Sequence, residues 1–364
     1  MPRSPGSILT AALTPDWDAL EAYLWVQAMQ TCPQDPVHHA EGDVWTHTRL
    51  VCEALAAVPD WLGLPTAQRR VLMAAAVLHD MAKPQATQQE GERIYAPGHA
   101  RLGEKMAREL LWDEPLDLRE QICALVRLHG LPVWTLERAN PLAEVIGSAL
   151  RLPNAWLHRL ARADMEGRVC QDQDEMLLQV DLFREYCLEQ GCLEVGWPFA
   201  NAHSRFHFFQ HKSPYPAVLF DDTRFELTLM CGVAGSGKDT CCQELDLPVV
   251  SLDDLRRAHR VGRGDKRGEG RIVQLAYEQA RTYARAGQSF VWNSTNLLRD
   301  LRGKLIRTLL PYQPYVRIIY VEASRAQLLQ RRQGEIPERE IVRMMQRLEL
   351  PQLDEAHELW LLRN

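Results

Sequence analysis

The segment CGVAGSGKDT, residues 231–240, constrains the fold more than any other part of this chain. It follows the β-rich run FELTLMC and has the spacing Gly, four residues, Gly, Lys, which is typical of a phosphate-binding loop between a strand and a helix. Backbone N–H groups of residues 233–238 would surround nucleotide phosphates, with Lys238 at the β and γ oxygens. Asp239 stands where a hydroxyl residue is usual, and Thr240 comes one position later. We expect an α/β domain that binds a nucleotide.

The rest of the C-terminal half alternates between strand-like and helical stretches. Short β-rich runs lie at 224–231, 247–252, 289–294 and 316–323. Helical stretches lie at 269–286, 298–310 and 325–333. This alternation predicts a parallel sheet with helices on both faces.

The N-terminal half has a different period. Residues 16–190 are predicted to be almost entirely helical, with no convincing alternating strand. Apolar residues recur at three- and four-residue spacing in 43–58, 66–82, 118–129 and 154–167. Residues 193–224 lose this period and gather Pro, Gly and aromatic residues, which indicates a connection between domains.

Length and composition fit two soluble domains. The chain has 364 residues, too many for one ordinary core, and we predict an all-α domain over 1–205, a linker over 206–223 and an α/β domain over 224–364. The net charge of −6 gives no overall attraction to nucleic acid, so such binding needs a local basic patch. We expect a cytoplasmic protein without a membrane partner, because there is no signal peptide, no run of 18 apolar residues, and the nine cysteines form no CxxC pair.

Histidines and carboxylates in the N-terminal half point inward. His47, His129 and Asp164 each lie on the apolar face of a predicted helix, and His79 and Asp80 come near the end of the apolar helix VLMAAAVLHDMAKP, closed by its proline. One inward histidine is usually a hydrogen-bonded core residue, but two inward carboxylates are costly to bury unpaired. A divalent cation would remove that cost, and mixed His and Asp ligation favours a transition metal over Mg²⁺ or Ca²⁺.

Five ordered segments resemble the HD phosphohydrolase superfamily, most of all the branch seen beside tRNA nucleotidyltransferases. They are HAEGDVWTHT (39–48), VLHDMAKP (77–84), GHARLGEKMA (98–107), VRLHGLP (126–132) and RADMEGR (162–168). The resemblance implies a first metal bound by His47, His79, Asp80 and Asp164, and a second bound by His99 and His129. It also implies that His39, Lys83 and Arg168 contact the phosphate or support the ligands, with the adjacent His38 as the alternative to His39. The metals would be one or two ions of the Mn, Ni, Co, Fe or Zn class, which lower the pKa of bound water.

Carboxylates and cations also follow the predicted strands of the C-terminal half. After the second strand, Asp253 or Asp254 could accept a proton from an attacking hydroxyl group. After the fourth strand, Arg331 and Arg332 on a predicted lid helix would stabilise charge on a transferred phosphoryl group. ATP or another nucleoside triphosphate, with Mg²⁺, is the predicted ligand. Its predicted binding residues are Gly232, Gly235, Ser236, Gly237, Lys238, Asp239, Thr240, Arg331 and Arg332.

These features resemble the phage type of 5′-hydroxyl polynucleotide kinase. The resemblance implies that Asp253 is the general base, that Arg256 binds the phosphate at the acceptor end and that Asn296 positions the acceptor. The lid departs from the family pattern, because its two arginines are adjacent rather than separated by three residues. Which of them touches ATP therefore stays open.

Residues 256–271 supply the local basic patch that the acidic chain needs. This segment has seven Lys or Arg residues against two Asp or Glu residues, with four glycines. A flexible cationic loop beside the acceptor site would bind a nucleic-acid backbone, and Arg263 and Arg267 are its candidate contacts.

Taken whole, the chain resembles the bacterial HD-Pnk family, and WPFANAHSRFHFF at 197–209 also fits that family. The resemblance implies an enzyme that heals RNA or DNA ends. One domain would remove a 2′,3′-cyclic phosphate, 2′-phosphate or 3′-phosphate, and the other would phosphorylate a 5′-hydroxyl. A nucleic-acid ligase would act downstream.

Three other interpretations remain open. The first is a nucleotide phosphohydrolase fused to a nucleoside or metabolite kinase, which the cationic segment disfavours. The second is a relative of tRNA nucleotidyltransferases, disfavoured because the polymerase head that carries the paired catalytic aspartates of those enzymes is absent before residue 37. The third is a module that binds ATP without transfer, against which Lys238 and Asp253 argue.

Overall fold

The computed structural model describes residues 8–210, 214–262, 265–331 and 334–364. The chain divides into two compact units, Met1–Pro198 and Phe199–Asn364. The first is mostly helical and the second is built on a parallel sheet, which confirms the predicted fold class. No helix of the described residues is both long and apolar enough to cross a membrane.

Helices α1 to α11 and one short hairpin form the described part of the first unit. The helices are α1 (Trp17–Leu20), α2 (Leu24–Gln30), α3 (Val44–Ala57), α4 (Thr66–Leu78), α5 (Lys83–Ala86), α6 (His99–Leu110), α7 (Leu116–Leu128), α8 (Leu131–Trp134), α9 (Pro141–Ala149), α10 (Asn154–Glu166) and α11 (Gln173–Glu189). The four predicted helical stretches correspond to α3, α4, α7 and α10, although the ends differ.

Helix α3 shows why these stretches become helical. The carboxylate of Asp43 accepts hydrogen bonds from the backbone N–H groups of Trp45 (2.8 Å) and Thr46 (2.9 Å), which caps the N-terminus. The helix ends at Ala57, because the next residue, Val58, precedes a proline and leaves the helical conformation. The apolar face is buried, and His47 lies on it as predicted.

Helix α4 ends earlier than the sequence predicts. Its residues from Val71 to Leu78 are all buried, but Leu78 is the last helical residue and His79 is the C-cap. Asp80 lies in the turn that follows. Pro84 lies in the first turn of α5, where a proline is tolerated, so it starts a new helix instead of closing α4.

A two-stranded antiparallel hairpin interrupts the helices, and the sequence does not predict it. Strand β1 (Gln88–Glu90) pairs with β2 (Arg93–Tyr95), with Gln88 opposite Tyr95. Most of these side chains are exposed, so the hairpin has no alternation of apolar and polar residues that would reveal it.

In the described part of the second unit, five parallel strands form one sheet in the order β4-β5-β3-β6-β7. The strands are β3 (Phe225–Cys231), β4 (Val249–Ser251), β5 (Phe290–Asn293), β6 (Pro314–Glu322) and β7 (Glu358–Arg363). Strands β3 to β6 were predicted. Strand β7 was not, because its short apolar run LWLL has no β-branched residue and fits a helix as well as a strand; in the structure it is an edge strand whose last four residues are exposed. The loop after the central strand β3 lies at the carboxyl edge, beside the ends of β5 and β6.

Seven helices belong to the described residues of the second unit. They are α12 (Ala202–Gln210), α13 (Lys238–Glu244), α14 (Leu252–Ala258), α15 (Lys266–Arg285), α16 (Arg299–Leu309), α17 (Arg325–Arg331) and α18 (Glu338–Arg347). Two predictions need correction. Helix α12 lies in the stretch predicted as an irregular connection, where its aromatic and histidine residues hide the helical period. Most of the predicted flexible loop over 256–271 belongs to α14 and α15.

Candidate metal centre and phosphate-binding site

The predicted metal ligands of the first unit converge on one place. They come from five helices or helix ends and form two groups whose donor atoms lie within 4.8 Å of one another. The groups are His47, His79 and Asp164, and Asp80, His99 and His129. Five of the six side chains are buried, and His99 is half-buried. The structure therefore brings together residues that lie far apart in the sequence.

Backbone carbonyls fix the protonation of three of these imidazoles. In His79, His99 and His129, Nδ1 lies 2.7–2.9 Å from the carbonyl oxygen three residues earlier in the chain. A carbonyl oxygen only accepts, so each Nδ1 carries the proton and donates it. In a neutral imidazole this leaves a lone pair on Nε2, which is the atom a metal needs.

The Nε2 atoms face carboxylates and one another. His79 Nε2 lies 3.2 Å from Asp80 Oδ2, and the two Nε2 atoms of His99 and His129 are 3.3 Å apart. His79 Nε2 and Asp80 Oδ1 are buried and have no hydrogen-bond partner within the described ranges. Facing lone pairs repel, and buried polar atoms without partners are costly. A divalent transition metal bound by nitrogen and oxygen donors would satisfy them, so the donor set fits such an ion.

The carboxylates of the cluster favour positive charge at His79, whereas burial, together with His79 and His99, lowers the pKa of His129 to about 3. Burial alone lowers the pKa of His79, but Asp80 and Asp164 outweigh burial and raise it. Burial alone raises the pKa of both carboxyls, yet His79 and Lys83 beside Asp80, and Arg168 and His47 beside Asp164, hold these pKa values well below the ordinary one. The carboxylates are thus ionised, as metal ligands must be.

Lys83 and Arg168 bind the carboxylates of this cluster. Lys83 Nζ lies 2.8 Å from Asp80 Oδ2 and donates to Gln34 Oε1 at 2.7 Å. Arg168 donates to both oxygens of Asp164 at 3.1 Å. Both cations also line a cavity of about 380 Å³ beside the cluster. Their position agrees with the predicted support of the ligands and leaves them within a cavity that a phosphate could enter.

Of the two adjacent histidines, His39 is the one tied to the cluster. Its Nδ1 forms a hydrogen bond of 2.8 Å with Glu41 Oε1, and burial lowers its pKa to about 4. His38 is exposed, and its Nδ1 lies 3.3 Å from Asp172 Oδ2. Both line the cavity. Glu41 is a residue of the site that the sequence reasoning missed, although it lies inside the quoted segment HAEGDVWTHT.

In the second unit, the loop after β3 requires its glycines. Gly232 has φ +146° and Gly237 has φ +105°, which side chains rarely adopt. A Cβ atom at Gly232 would lie 2.3 Å from the carbonyl oxygen of Val321. Helix α13 begins at Lys238, so its N-terminus and the loop N–H groups form the kind of anion site that the motif predicts.

Two cations of this loop region are hydrogen-bonded to loop carbonyls. Lys238 Nζ donates to the carbonyl oxygens of Gly232 (2.8 Å) and Val233 (3.0 Å). Arg331 Nη1 donates to the carbonyl oxygen of Gly235 at 3.2 Å. Both side chains line a cavity of about 830 Å³. Of the predicted lid arginines, Arg331 is therefore placed at the loop, whereas Arg332 lies outside the described residues.

The residues that depart from the usual motif line the same cavity. Asp239 and Thr240 are both exposed, and Asp239 Oδ1 accepts a hydrogen bond of 2.7 Å from Asn293 Nδ2. Ser236 is buried, and its hydroxyl has no hydrogen-bond partner among the described residues. Gly235, with φ +88°, also lines the cavity.

Asn296 is placed differently from its predicted role. Its side chain is almost fully buried and donates from Nδ2 to the carbonyl oxygen of Met230 at 2.7 Å. It lines neither the 830 Å³ cavity nor a neighbouring cavity of about 980 Å³ at the same edge, and in this structure its side chain is bonded to the end of strand β3. Asn293, three residues earlier at the end of β5, lines both cavities, and the sequence reasoning did not identify it.

Asp253 lies where two cavities meet. It is exposed in the first turn of α14 and lines the 830 Å³ cavity and a neighbouring one of about 980 Å³. Arg256 donates from Nη1 to Asp253 Oδ1 at 2.5 Å and also binds Glu269 through Nε and Nη2 at 2.8 and 2.9 Å. Asp254 pairs with Arg257 and lines only the second cavity. Between the two open alternatives, the position of Asp253 fits a proton acceptor better.

Of the two predicted nucleic-acid contacts, Arg263 and Arg267, only Arg267 belongs to the described residues. Arg267 is exposed in the first turn of α15 and lines neither cavity, and Arg263 lies outside the described residues. Arg257 and Arg260 line the 980 Å³ cavity together with Arg256. The arginines at this edge thus come from the end of α14 and the turn after it, and Asp239, Asp246, Asp253 and Asp254 line the same cavity.

A further histidine cluster, His203, His207 and His357, also lies within metal-binding distances. The backbone N–H of Val316 donates to His357 Nδ1 (3.0 Å), so the ring proton is on Nε2 and is donated to His203 Nδ1 (3.1 Å). His203 then carries its proton on Nε2, which lies 3.4 Å from Asp222 Oδ1. These two rings are satisfied by hydrogen bonds and present no lone pair to a cation, so this cluster is a structural one.

Comparison with known proteins identifies two families along the chain. Residues 44–164 match the family described as HD domain, and residues 227–351 match the family described as AAA domain. No curated protein matches the chain. Among solved structures, it is similar to a protein from Chloroflexus aurantiacus proposed to be a kinase, with 23% identity and a TM-score of 0.34 over 39% of this chain and 86% of that chain. That similarity supports no conclusion about function. The chain therefore joins an HD domain to a P-loop domain of the AAA type.

Proposed function

We propose that this fusion of an HD domain and a P-loop domain is a bifunctional end-healing enzyme of the HD-Pnk type. The HD domain would hydrolyse a 2′,3′-cyclic phosphate, 2′-phosphate or 3′-phosphate end, and the P-loop domain would phosphorylate a 5′-hydroxyl end. The observation that carries the proposal is the presence in one chain of a buried six-ligand His/Asp cluster and a P-loop with a carboxylate between two cavities.

In the HD domain, the proposed ligands are the six side chains of the cluster. When bound, a transition-metal ion would supply a water molecule of lowered pKa as the attacking group. Lys83 and Arg168 line the cavity beside the ligands and would neutralise phosphoryl oxygens. His39 donates its Nδ1 proton to Glu41, which leaves Nε2 to accept a hydrogen bond from a substrate hydroxyl.

The walls of the HD cavity support a nucleoside phosphate as its ligand. One side is formed by the ligands and cations, and the remainder includes Trp134, Tyr95 and Met165. Trp134 is 46% exposed, which is unusual for a large aromatic side chain without a partner surface. Aromatic side chains stack on unpaired bases, so this wall would hold the terminal base of an RNA strand.

In the P-loop domain, the proposed donor is a nucleoside triphosphate with Mg²⁺. Lys238 and Arg331 would exchange their present carbonyl partners for phosphate oxygens. Asp239, held by Asn293, would bind Mg²⁺ directly or through water, since Mg²⁺ prefers oxygen ligands. Asp253 would accept the proton of the 5′-hydroxyl as that oxygen attacks the γ-phosphorus and ADP leaves.

The second cavity supports a polynucleotide acceptor over a small molecule. Arg256, Arg257 and Arg260 line it together with the carboxylates of Asp239, Asp246, Asp253 and Asp254. Three arginines exceed what a free nucleoside requires, and Arg256 and Arg257 would exchange Asp253 and Asp254 for phosphates of the acceptor. Backbone phosphates of a strand would bind these cations, which makes acceptance dependent on salt. The alternative of a nucleoside or metabolite kinase fused to a nucleotide phosphohydrolase predicts no such dependence.

The test is an end-group assay on one RNA that carries both a 5′-hydroxyl and a 2′,3′-cyclic phosphate. We expect the purified protein, with ATP, Mg²⁺ and Mn²⁺ or Co²⁺, to convert this RNA into one with a 5′-phosphate and with free 2′- and 3′-hydroxyls at the other end. A parallel reaction offers a mixture of free nucleosides as acceptors. Phosphorylation of nucleosides but not of RNA ends would favour the small-molecule alternative and contradict the proposal. The healed ends are the substrates of a nucleic-acid ligase, which we propose as the downstream partner.

A further inference from the structure

Glu41 lies directly behind the metal cluster and contacts three different segments. Its side chain is only 2% exposed and does not line the cavity. Oε1 accepts the hydrogen bond from His39 Nδ1 (2.8 Å) and lies 2.9 Å from His47 Nδ1, and Oε2 accepts from the backbone N–H of Val169 (2.9 Å). A buried carboxylate with donors on both oxygens occupies a defined position.

The segment around Glu41 is also hydrogen-bonded to Val169, the residue that follows Arg168. The backbone N–H of Ala40 donates to the carbonyl oxygen of Val169 at 2.9 Å. Glu41 Oε1 thus faces the Nδ1 atoms of two histidines, while Oε2 is held by the backbone of the segment that follows Asp164.

His47 cannot be oriented in the way that the other cluster histidines are. His79 and His129 are C-caps, so each uses a carbonyl in the last turn of its own helix. His99 is the first residue of α6 and uses the carbonyl of Ala96, which precedes that helix. His47 lies within α3, where the carbonyl three residues earlier belongs to Val44, is part of the helix, and also accepts from the Thr48 hydroxyl at 2.9 Å.

The Nδ1 proton of His47 therefore needs a different acceptor. Glu41 Oε1 is at hydrogen-bond distance from that atom, although the two are not aligned as a full hydrogen bond in this structure. On the other side of the ring, His47 Nε2 forms a hydrogen bond of 3.0 Å with Asp164 Oδ1, in which Nε2 donates to the carboxylate. A metal at Nε2 would displace that proton and leave Nδ1 as the protonated atom. A metal ligand at Nε2 requires the proton on Nδ1, and a carboxylate acceptor there also increases the basicity of the ring.

We propose that Glu41 is a positioning residue of the metal centre, which holds His47 as the Nδ1–H tautomer and ties it to His39. It does not touch substrate and acts through the imidazoles. The inference rests on the metal-binding half of the proposed function. Asp43, two residues further on, has the separate task of capping α3, so the two carboxylates of this segment have different roles.

The test introduces Glu41→Gln into two versions of the full chain, the wild type and the variant His47→Ala. The amide of glutamine keeps the shape of the side chain. Its NH₂ group is a donor, however, and would face either the histidine Nδ1–H groups or the backbone N–H of Val169, which are donors too. Metal-stripped protein is titrated with Co²⁺ by calorimetry, and the cobalt absorption bands report the ligand set. We expect Glu41→Gln to weaken Co²⁺ binding by about 10- to 100-fold, the usual cost of removing the carboxylate that orients a histidine ligand. Glu53→Gln, an exposed position on α3, is the matched control and should bind like wild type.

A double-mutant cycle separates positioning from a general structural role. Once His47→Ala has removed the ligand, Glu41→Gln should change Co²⁺ affinity by less than about twofold. An equal loss in both backgrounds, or wild-type affinity for Glu41→Gln, would overturn the inference.

If Co²⁺ binds His47→Ala too weakly to be measured, long-range ¹H–¹⁵N spectra of the histidine rings provide the test, because they report which ring nitrogen carries the proton. Wild type loaded with diamagnetic Zn²⁺ should show His47 with its proton on Nδ1, and Zn²⁺-loaded Glu41→Gln should lose that state. An unchanged His47 ring in Glu41→Gln would overturn the inference equally. Failure of wild type itself to bind Co²⁺ would instead contradict the metal centre of the proposed function.

Discussion

The two candidate sites of this protein differ in how far they are assembled. In the HD domain, the ligand side chains are mostly buried and already converge within a few ångströms, held by backbone carbonyls. In the P-loop domain, Asp239, Asp253 and Arg331 are exposed, and the cations are bonded to loop carbonyls or to neighbouring carboxylates. A compact ion can bind in a rigid buried centre, whereas a large charged substrate needs an open site whose side chains exchange partners.

The elements of each domain explain this difference. The HD ligands sit at helix ends, where unused carbonyls orient imidazoles, or on buried helix faces. The P-loop residues sit on the loops at the carboxyl edge of a parallel sheet, where substrates have access. Each domain should therefore respond to mutation in its own way and independently of the other.

The largest effect is expected from Asp80→Asn in the preassembled centre. Asp80 Oδ2 contacts His79 Nε2 and Lys83 Nζ, and Oδ1 lies 3.4 Å from His99 Nε2. One substitution thus removes charge from both ligand groups, and we expect end hydrolysis to fall by at least about 10³-fold. Kinase activity on the same preparation is the internal readout of a folded protein. Asp117→Asn, exposed in the first turn of α7, is the control.

Loss of both activities from folded Asp80→Asn protein would mean that the two sites do not work independently. In that case the structural difference between the preassembled HD site and the open P-loop site would not correspond to two separate activities.

The next effect concerns the open site. Lys238→Ala removes the cation that we expect to move from the carbonyls of Gly232 and Val233 to the γ-phosphate. Loss of one such stabilising group usually costs about 10²- to 10³-fold in rate, so 5′ phosphorylation should fall by that factor while end hydrolysis is retained. Transfer of ³²P from ATP to a 5′-hydroxyl oligonucleotide measures it. Lys304→Ala, an exposed lysine on α16, should behave like wild type. Retention of kinase activity in Lys238→Ala would remove Lys238 from the mechanism.

The sequence predicts what is periodic within one element and misses what depends on contacts between segments. Helical spacing placed His47, His129 and Asp164 on buried faces correctly, because the face of a helix follows from its own period. Glu41 was missed because its role depends on Val169, 128 residues away, and on two histidines outside any shared period.

The same limit applies to the fold. The buried strands β3 to β6 are predicted by their apolar runs, and the exposed hairpin of β1 and β2 has no such run. The edge strand β7 has the run LWLL, but a run that short fits a helix as well as a strand. At the end of a strand, moreover, sequence does not fix which residue leaves the sheet first. The segment WNSTN offered two asparagines, and only the structure separates Asn293 at the cavity from Asn296 beneath it.

That pair gives the smallest expected effects and a direct test of the open site. Asn293→Ala removes the donor to Asp239 Oδ1 at a half-exposed position, so stability should change by less than about 0.5 kcal/mol. The Mg²⁺ concentration for half-maximal kinase activity should rise by about 10-fold, as is usual when a residue that orients a metal ligand is lost. Asn296→Ala leaves the buried Met230 carbonyl without its side-chain donor and should lower the free energy of unfolding by about 1–3 kcal/mol with little change in Mg²⁺ dependence.

Kinase titrations with Mg²⁺ and urea unfolding of the two variants measure both quantities. The reverse result, with Asn296→Ala altering Mg²⁺ or acceptor dependence and Asn293→Ala only destabilising, would restore the role that the sequence assigned to Asn296. It would also mean that Asn296 leaves Met230 when substrate binds, so that even the buried layer beneath the P-loop rearranges. The open site would then include Asn296, which in this structure lies beneath the cavity and is bonded to Met230.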